Sequence, residues 1–309
     1  MSAKEAEKRN ISQRQSFAEP KPFVKWAGGK TALLDELGKM LPQDGERVFK
    51  KYCEPMVGGG ALLFYVLSKY DFEEIYISDI NAELINAYNV IKNNVSELIE
   101  RLEEMQMFFS SADESKKKTF YYDMRGKFNT TELSGEKAAE KAAYLIFLNK
   151  TCFNGLYRVN SKGHYNVPMG LYKNPGICDA ENLRNIHTAL QNVIIRHGDY
   201  SMSEKFIDKD TFVYIDPPYR PICKTSFTSY NGYSFDDGDQ IRLARFVDKI
   251  NRTGAKIVLS NSDPKNKDKE DVFFDELYKD YEIKRVSAAR MINSKADGRG
   301  KISELLITN

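Results

Sequence analysis

Short apolar runs that end in acidic or glycine-rich turns punctuate this chain, and residues of helical periodicity fill the stretches between them. Runs rich in β-branched and aromatic residues predict buried strands at residues 75–77, 193–195, 211–215, 256–259 and 302–307. Apolar positions at helical spacing predict helices at residues 33–40, 61–69, 84–105, 138–149 and 241–250. Strands that alternate with helices predict an α/β fold, built as a Rossmann-like mixed sheet with helices on both faces.

An unusual turn, Asp216-Pro217-Pro218-Tyr219, follows the strand predicted at residues 211–215. Open α/β sheets bind ligands at the carboxyl ends of their strands, so we expect a functional site here. The lone pair of a base's exocyclic amine is delocalised into the ring. A carboxylate and a proline-fixed carbonyl that each accept one N–H would free that lone pair for attack. Tyr219 offers a flat face for a base. The alternative is a rigid turn with a solvated aspartate.

A second cluster of signals surrounds the glycines at residues 58–60, which precede the helix predicted at residues 61–69. Glycines between a strand and a helix let a ligand approach the backbone closely. Asp79 ends the next strand, 19 residues after Gly60, where an acid meets ribose hydroxyls in nucleoside-binding folds. The dinucleotide fingerprint would need glycine where Leu63 stands. The pattern therefore predicts a nucleoside site that includes Gly58 and Asp79.

Two further segments supply candidate ligand contacts. The Gly-Gly-Lys-Thr sequence at residues 28–31 lacks the earlier glycine of a phosphate-binding loop, since Val24 stands there. Lys30 at a helix start suits a carboxylate, and the Trp26 indole suits a cationic or aromatic ligand, although Trp26 taken by itself is more readily interpreted as a core residue. Asp199 ends another strand and could bind the amino edge of an adenine.

Polar and basic segments indicate a nucleic-acid partner. Residues 149–170 combine asparagines, basic residues and aromatic rings, and we expect a β-hairpin turn at Ser161-Lys162-Gly163. An ordinary surface hairpin is the alternative. Residues 284–301 contain six basic residues and one acid, and a second basic group occupies residues 116–127. Such patches can neutralise phosphates, although each could also be solvated surface.

Composition bounds the class of protein. The 309 residues are 41% hydrophobic and 29% charged with a net charge of +2, as expected for a soluble α/β domain with an insertion. The apolar run at residues 142–148 is too short to span a bilayer. Four scattered cysteines without a CxxC pair favour a reduced, cytoplasmic protein without a zinc site. We expect residues 1–20 to form a disordered leader and residues 221–238 a mobile loop beside the site.

In their order along residues 21–309, these motifs resemble those of the Dam-like DNA adenine-N6 methyltransferases, the D12 class, whose cofactor motifs precede the catalytic one. The resemblance depends on the combination of motifs. It rests on residues 23–30, on Glu54-Pro55 with Gly58 and Gly60, on Ser78-Asp79-Ile80-Asn81, on Phe153-Asn154-Gly155-Leu156, on Arg158, on Tyr165-Asn166-Val167-Pro168 and on residues 216–219.

The resemblance implies a class I methyltransferase that moves a methyl group from S-adenosylmethionine to a flipped-out adenine in double-stranded DNA. It implies cofactor binding by Trp26, Lys30, Met56, Gly58, Asp79, Asp199 and Asp216. Catalysis is implied at Asp216, Pro217, Pro218 and Tyr219. DNA contacts are implied at Asn154, Leu156 and Arg158, and the basic stretch adds Arg299 and Lys301. The catalytic domain would comprise residues 21–82 and 188–309, and a mainly helical target-recognition insertion would comprise residues 83–187.

Two positions depart from the family's pattern. Met56 replaces the usual phenylalanine, and Leu171 stands where enzymes that read GATC typically carry a basic residue. An aliphatic side chain cannot make a bidentate contact to guanine, so the sequence leaves the recognition site open.

Three other functions remain open at this point: an N4-cytosine methyltransferase, an RNA adenine methyltransferase, and a non-catalytic DNA-binding module. The chain has no Pro-Cys pair, which disfavours the cysteine route to C5-cytosine methylation. We expect a cytoplasmic, nucleoid-associated protein that acts as a monomer on DNA without a metal or a membrane, with a cognate restriction endonuclease as a candidate partner.

Overall fold

The computed structural model describes residues 18–26, 30–41, 48–133, 135–220, 235–289 and 301–309. Within them, seven strands form one mixed sheet in the order β3-β2-β1-β4-β5-β7-β6. The first five strands pair in parallel, and β7 runs antiparallel to both of its neighbours. The strands are β1 (Lys51–Glu54), β2 (Glu74–Asp79), β3 (Val193–His197), β4 (Thr211–Ile215), β5 (Lys256–Ser262), β6 (Glu282–Ala289) and β7 (Lys301–Thr308).

Helices cover both faces of this sheet, which confirms the predicted fold class. The helix predicted at residues 61–69 has those bounds in the structure, whereas the one predicted at residues 33–40 begins as a 3-10 turn, Lys30–Leu33. The α-helices are α1 (Leu34–Gly38), α2 (Ala61–Lys69), α3 (Ala82–Asn93), α4 (Val95–Ser111), α5 (Glu114–Thr130), α6 (Ala138–Thr151), α7 (Ala180–Ala189), α8 (Asp237–Asn251) and α9 (Phe273–Leu277).

The alternation of side chains along the strands divides the core into two clusters. Tyr52, Phe212, Tyr214, Val258 and Leu306 point to one face, where they join the cluster that contains α2 and α3. The intervening residues point to the other face and pack against α8; they are Cys53, Val213, Ile215, Leu259, Leu305 and Ile307. Side-chain direction along a strand repeats every two residues. The polar residues at the strand ends therefore point to the first face as well, namely Glu54, Asp216, Ser260 and Glu304.

The predicted insertion is mainly helical, and its helix α6 is almost entirely buried among α3, α4 and α5. The expected hairpin turn is present, with Gly163 in the left-handed region at φ +77°. Its arms pair only through two isolated bridges, Cys152 with Met169 and Val159 with Tyr165, so the hairpin is shorter than a regular two-stranded ladder.

The sequence analysis did not predict a strand within the basic stretch at residues 284–301, but residues 282–289 form the edge strand β6. An edge strand tolerates charged side chains, and the charges at residues 282, 284 and 285 concealed this one. Two of its cations are engaged by carboxylates, Lys284 by Glu36 and Arg285 by Asp263 and Asp275. These cations therefore form intramolecular ion pairs.

Several other predictions fall partly outside the described residues. Residues 1–17 of the expected leader lie outside the described residues, whereas Glu19 is described and forms an ion pair with Lys69. Residues 221–234 of the expected loop also lie outside the described residues. Helix α8 begins at Asp237, within the range predicted as loop. In the described part of the chain, no helix combines the length and the apolar character needed to cross a membrane.

Candidate active site

A buried ion pair marks the carboxyl end of β4. The Lys30 ammonium lies 2.7 Å from Oδ1 of Asp216, and the Lys30 side chain is only 5% exposed. The Ser260 hydroxyl donates a hydrogen bond of 2.9 Å to the same oxygen, and the Tyr214 hydroxyl lies 3.0 Å from Ser260 Oγ. Both donors lie at Oδ1, and no donor from the described residues reaches Oδ2. One carboxylate oxygen therefore remains available to accept a hydrogen bond from a ligand.

The ionisation of the acidic groups here is set by a balance between burial and neighbouring donors. Burial raises the pKa of Asp216, and the Lys30 ammonium and the Ser260 hydroxyl act against that rise. Burial also raises the pKa of Glu54, to about 8, although the Tyr52 hydroxyl hydrogen bond acts to lower it. That bond spans 2.7 Å to Oε2 of Glu54. Burial therefore favours the protonated form of Glu54.

The ring of Tyr219 is held at its edge and on one face. Its hydroxyl donates a 2.6 Å hydrogen bond to Oε2 of Glu304, and the Lys30 ammonium lies 4.5 Å from the ring centroid. Burial, followed by the nearby Asp216 and Glu304 carboxylates, raises the pKa of Tyr219 well above its ordinary value. The hydroxyl therefore stays protonated and acts as a donor to the Glu304 carboxylate.

The backbone of the Pro-Pro turn is fixed from the opposite face of the sheet. The buried Gln240 side chain on α8 donates a 3.2 Å hydrogen bond to the Pro218 carbonyl. Its own amide oxygen accepts a 3.1 Å hydrogen bond from Asn261, at the end of β5. Among the described residues no donor reaches the Pro217 carbonyl, which therefore remains available as a second acceptor beside Asp216.

Asp79 occupies the next functional position along this edge of the sheet. Its Oδ2 accepts a 3.0 Å hydrogen bond from the backbone N–H of Gly58, and its Oδ1 accepts a 2.9 Å bond from the N–H of Asn81. Burial raises the pKa of Asp79, whereas these two N–H groups act to lower it. The carboxylate is thus held in a fixed orientation and keeps lone pairs for ligand hydroxyls.

The glycine turn beside Asp79 requires glycine for both conformation and space. Gly58 and Gly60 have φ angles of +49° and +75°, in the left-handed region that other residues rarely adopt. A Cβ at Gly58 would lie 3.0 Å from the Trp26 ring, and one at Gly60 would lie 2.5 Å from the Tyr88 hydroxyl. That hydroxyl also donates to the Gly58 carbonyl at 3.0 Å. The absence of side chains therefore lets the backbone of this turn lie directly against the Trp26 ring.

The remaining predicted cofactor residues border the same edge. Met56 is partly buried against the cluster that contains α8. Asp199 follows β3, and both of its oxygens are engaged by Arg242 of α8, at 2.9 and 3.2 Å. Burial acts to raise the pKa of Asp199, but Arg242 and Ser201 together lower it below its ordinary value. Asp199 is thus an ionised acceptor in a fixed orientation.

The predicted DNA contacts Asn154, Leu156 and Arg158 lie on one surface loop. Asn154 has a φ of +55°, Leu156 is 37% exposed, and Arg158 is exposed and hydrogen-bonded to Asn166 at 2.7 Å. Of the two other predicted contacts, Arg299 lies outside the described residues. Lys301 begins β7, but its side chain is not among those described.

The surface loop is tied directly to the segment that carries Trp26. The Asn149 side chain accepts a 2.7 Å hydrogen bond from the Lys25 N–H and donates to the carbonyls of Lys25 and Gly155 at 2.8 and 3.0 Å. The rings of Trp26 and Tyr157 are 5.4 Å apart, centroid to centroid. A ligand at the loop and a ligand at Trp26 would therefore be neighbours.

Comparisons with known proteins agree with this arrangement. The family model for the D12 class N6 adenine-specific DNA methyltransferases matches residues 26–292. The chain is 52% identical to the Type II methyltransferase M.MjaIII of Methanocaldococcus jannaschii, over 94% of this chain and 99% of that one. It is 37% identical to the Type II methyltransferase M1.LlaDCHI of Lactococcus lactis subsp. cremoris, over 94% and 95%. It is 36% identical to the DNA adenine methylase of Haemophilus influenzae, over 93% and 92%.

Proposed function

The chain belongs to the D12 class of N6 adenine-specific DNA methyltransferases, and we propose that residues 216–219 carry its chemistry, with S-adenosylmethionine as the methyl donor. The family, and the curated relatives along nearly the whole chain, make it a site-specific DNA adenine methyltransferase. The finer proposal is direct transfer to N6 of an adenine flipped out of double-stranded DNA, without a covalent enzyme intermediate.

One observation carries the proposal: among the described residues, no donor reaches Oδ2 of Asp216 or the carbonyl of the next residue, Pro217. Oδ2 of Asp216 and the Pro217 carbonyl can each accept one N–H of an exocyclic amine. Those two bonds favour a pyramidal nitrogen whose lone pair points away from the ring. Lys30 and Ser260 occupy Oδ1 and so hold the carboxylate in this orientation.

Tyr219 supports the same reaction by binding the flipped base. Lys30 lies over one face of the ring, so the opposite face is the one that can stack on adenine. Stacking of a base on an aromatic ring contributes about 1–3 kcal/mol, which offsets much of the few kcal/mol that unstacking costs.

The residues around Asp79 fit an adenosyl group. Asp79 is positioned to accept hydrogen bonds from ribose hydroxyls, and the Gly58 turn allows the close approach of a nucleoside. Lys30 suits the donor's carboxylate, Trp26 and Met56 offer apolar surface, and Asp199 suits the adenine amine. When bound, S-adenosylmethionine supplies an electrophilic methyl group on its sulfonium. The chain orients that group against the amine held at Asp216.

Recognition of DNA is assigned to the insertion, residues 83–187, on the catalytic domain of residues 21–82 and 188–309. Asn154, Leu156 and Arg158 would contact the duplex, with Arg299 and Lys301 as further phosphate contacts. We propose that the enzyme acts as a monomer on DNA in the bacterial or archaeal cytoplasm, at the nucleoid. Because two relatives are named Type II methyltransferases, a restriction endonuclease of the same specificity is the proposed partner.

The test is methyl transfer from labelled donor to duplex DNA, followed by digestion to nucleosides and mass spectrometry. N6-methyladenine is the expected product, and Asp216→Ala should abolish it while circular dichroism shows that the fold is retained. N4-methylcytosine as the product would overturn the assignment of the target base, and stronger methylation of RNA would overturn that of the substrate. Near-full activity of Asp216→Ala would overturn the assignment of the site.

A further inference from the structure

We infer that Glu304 is a positioning residue that sets the plane of the Tyr219 ring for the target adenine. The inference rests on the proposed function of Tyr219 as the stacking surface. Glu304 follows no motif and lies 85 residues after Tyr219, yet its Oε2 accepts the Tyr219 hydroxyl at 2.6 Å. A hydrogen bond from a neutral hydroxyl to a carboxylate is one of the stronger kinds, because the acceptor carries a charge.

The backbone that carries Glu304 is rigid. Strand β7 is hydrogen-bonded on both sides, with Glu304 in register with Ser262 of β5 and with Val286 of β6. Leu305 and Leu306, which follow it, are fully buried in the two opposite core clusters. Because the antiparallel return of β7 brings Glu304 to the carboxyl edge of β4, its carboxylate is a fixed point beside the catalytic turn.

Fixing the hydroxyl determines how the ring is presented. A tyrosine ring has two side-chain torsions, and the turn backbone is held at the Pro218 carbonyl by Gln240. With the backbone and the hydroxyl both held, neither torsion can change far without breaking the bond to Glu304. The Lys30 ammonium covers one face, so the other face is presented in a constant orientation before the base arrives. Stacking then requires no reordering of the ring.

The competing interpretation gives Glu304 a merely structural role that stabilises β7 without acting through the Tyr219 ring. The two roles differ in what removal of the tyrosine hydroxyl does. If Glu304 acts through the ring, Tyr219→Phe and Glu304→Ala should have the same effect and should not add. If Glu304 only stabilises the strand, its removal should lower the melting temperature independently of Tyr219.

The experiment compares Glu304→Ala, Glu304→Gln, Tyr219→Phe and the Glu304→Ala/Tyr219→Phe double variant. Glu282→Ala, at the other end of the ladder between β6 and β7, is the matched control, because Glu282 is an exposed carboxylate in register with Thr308. The target adenine is located first by base-resolution sequencing of DNA methylated by the wild type. Single-turnover rates, KM for the methyl donor, melting temperatures and the fluorescence of 2-aminopurine at the target position are then measured.

We expect Glu304→Ala and Tyr219→Phe each to slow the single-turnover rate about tenfold, with the donor KM unchanged and the double variant no slower. Glu304→Gln keeps an acceptor and should recover most of the rate. Because a fixed ring stacked on the flipped base quenches 2-aminopurine, both single variants should fluoresce more brightly in complex with DNA than the wild type.

Additive losses in the double variant, a wild-type rate for Glu304→Ala, or unchanged 2-aminopurine fluorescence would each overturn the positioning role. These results are distinct from failure of the proposed function. That failure would appear as an active Asp216→Ala enzyme or as a wild type that forms no N6-methyladenine.

Discussion

The Lys30 ammonium and the Asp216 carboxylate form a buried ion pair of 2.7 Å directly beneath the ring of Tyr219. The contact joins the first residue of the 3-10 turn Lys30–Leu33 to the residue that follows β4, 186 positions later in the sequence. Burial raises the pKa of Asp216, and Lys30 is the largest influence that acts against it. The ion pair therefore favours the ionised form of Asp216, the form that the proposed reaction needs to accept a hydrogen bond from the target amine.

The first prediction is that Lys30→Met moves the acid limb of the kcat–pH profile to higher pH. Activity requires ionised Asp216, so it is lost as pH falls through the pKa of the folded protein. Without Lys30, less opposes the rise in the pKa of Asp216 that burial causes. The loss of activity should therefore begin at a higher pH. The profile is measured with saturating donor, so that weaker cofactor binding does not enter. Lys39→Met is the control, because Lys39 pairs with Glu36 on the protein surface.

An acid limb at the wild-type pH in Lys30→Met would show that Lys30 does not control the ionisation of Asp216. The separate contribution of Lys30 to donor binding is read from the donor KM, measured at a pH above that limb.

The second prediction concerns Ser260, which donates to Oδ1 of Asp216 and is itself in contact with the Tyr214 hydroxyl. Ser260→Ala should lower kcat by about tenfold or more, because a hydrogen bond to a charged group contributes about 1.5–3 kcal/mol. It should also shift the acid limb upward, since Ser260 helps to lower the pKa of Asp216. Ser262→Ala, on the same face two residues later, is the control. A wild-type pH profile for Ser260→Ala would contradict the assignment.

The strand ends could be predicted from the sequence, but the partners gathered around them could not. The apolar runs before Asp79 and Asp216 identify those acids, because parallel strands place their carboxyl ends at one edge. Ser260 and Glu304 join them only because β5 lies next to β4 and β7 returns antiparallel beside β5. No local pattern encodes that order, so residues far apart in the sequence could be grouped only in three dimensions.

The features that the sequence did not predict have separate physical causes. Strand β6 lacks an apolar run because it is an edge strand whose charged side chains reach solvent and neighbouring carboxylates. The pairing of Asp199 with Arg242 depends on how α8 docks against β3, which helical periodicity does not specify. Asp199 follows β3 at the carboxyl edge, as its sequence position predicts, whereas its orientation by Arg242 depends on that docking.

The third prediction is that Gln240→Leu lowers both stability and kcat. Gln240 is fully buried between the Pro218 carbonyl and the Asn261 amide, so leucine leaves two buried polar groups without this partner. Each such group costs about 1–3 kcal/mol. Thermal unfolding measures the first effect, and single-turnover kinetics measure the second. Gln240→Glu keeps an acceptor for Asn261 but loses the donor to Pro218. Full stability of Gln240→Leu would rule out the network as a support of the turn.

The fourth prediction is that Glu54→Gln stabilises the protein by an amount that grows between about pH 4.5 and pH 8. Burial raises the pKa of Glu54 to about 8 in the folded protein, against an ordinary value of 4.5. In that range the folded state keeps a proton that the unfolded state has released, so wild-type stability falls as pH rises. Glutamine does not titrate, and its carbonyl can still accept the Tyr52 hydroxyl bond.

The difference in the free energy of unfolding between Glu54→Gln and the wild type should therefore be smallest below pH 4.5 and level off above pH 8, where it reaches up to a few kcal/mol. Denaturant unfolding at a series of pH values measures it, with the exposed Glu74→Gln of the adjacent strand as the control. A difference that stays constant with pH would mean that Glu54 ionises normally. In that case the buried layer beneath Asp216 would contain a second negative charge, and Lys30 would have two carboxylates to neutralise.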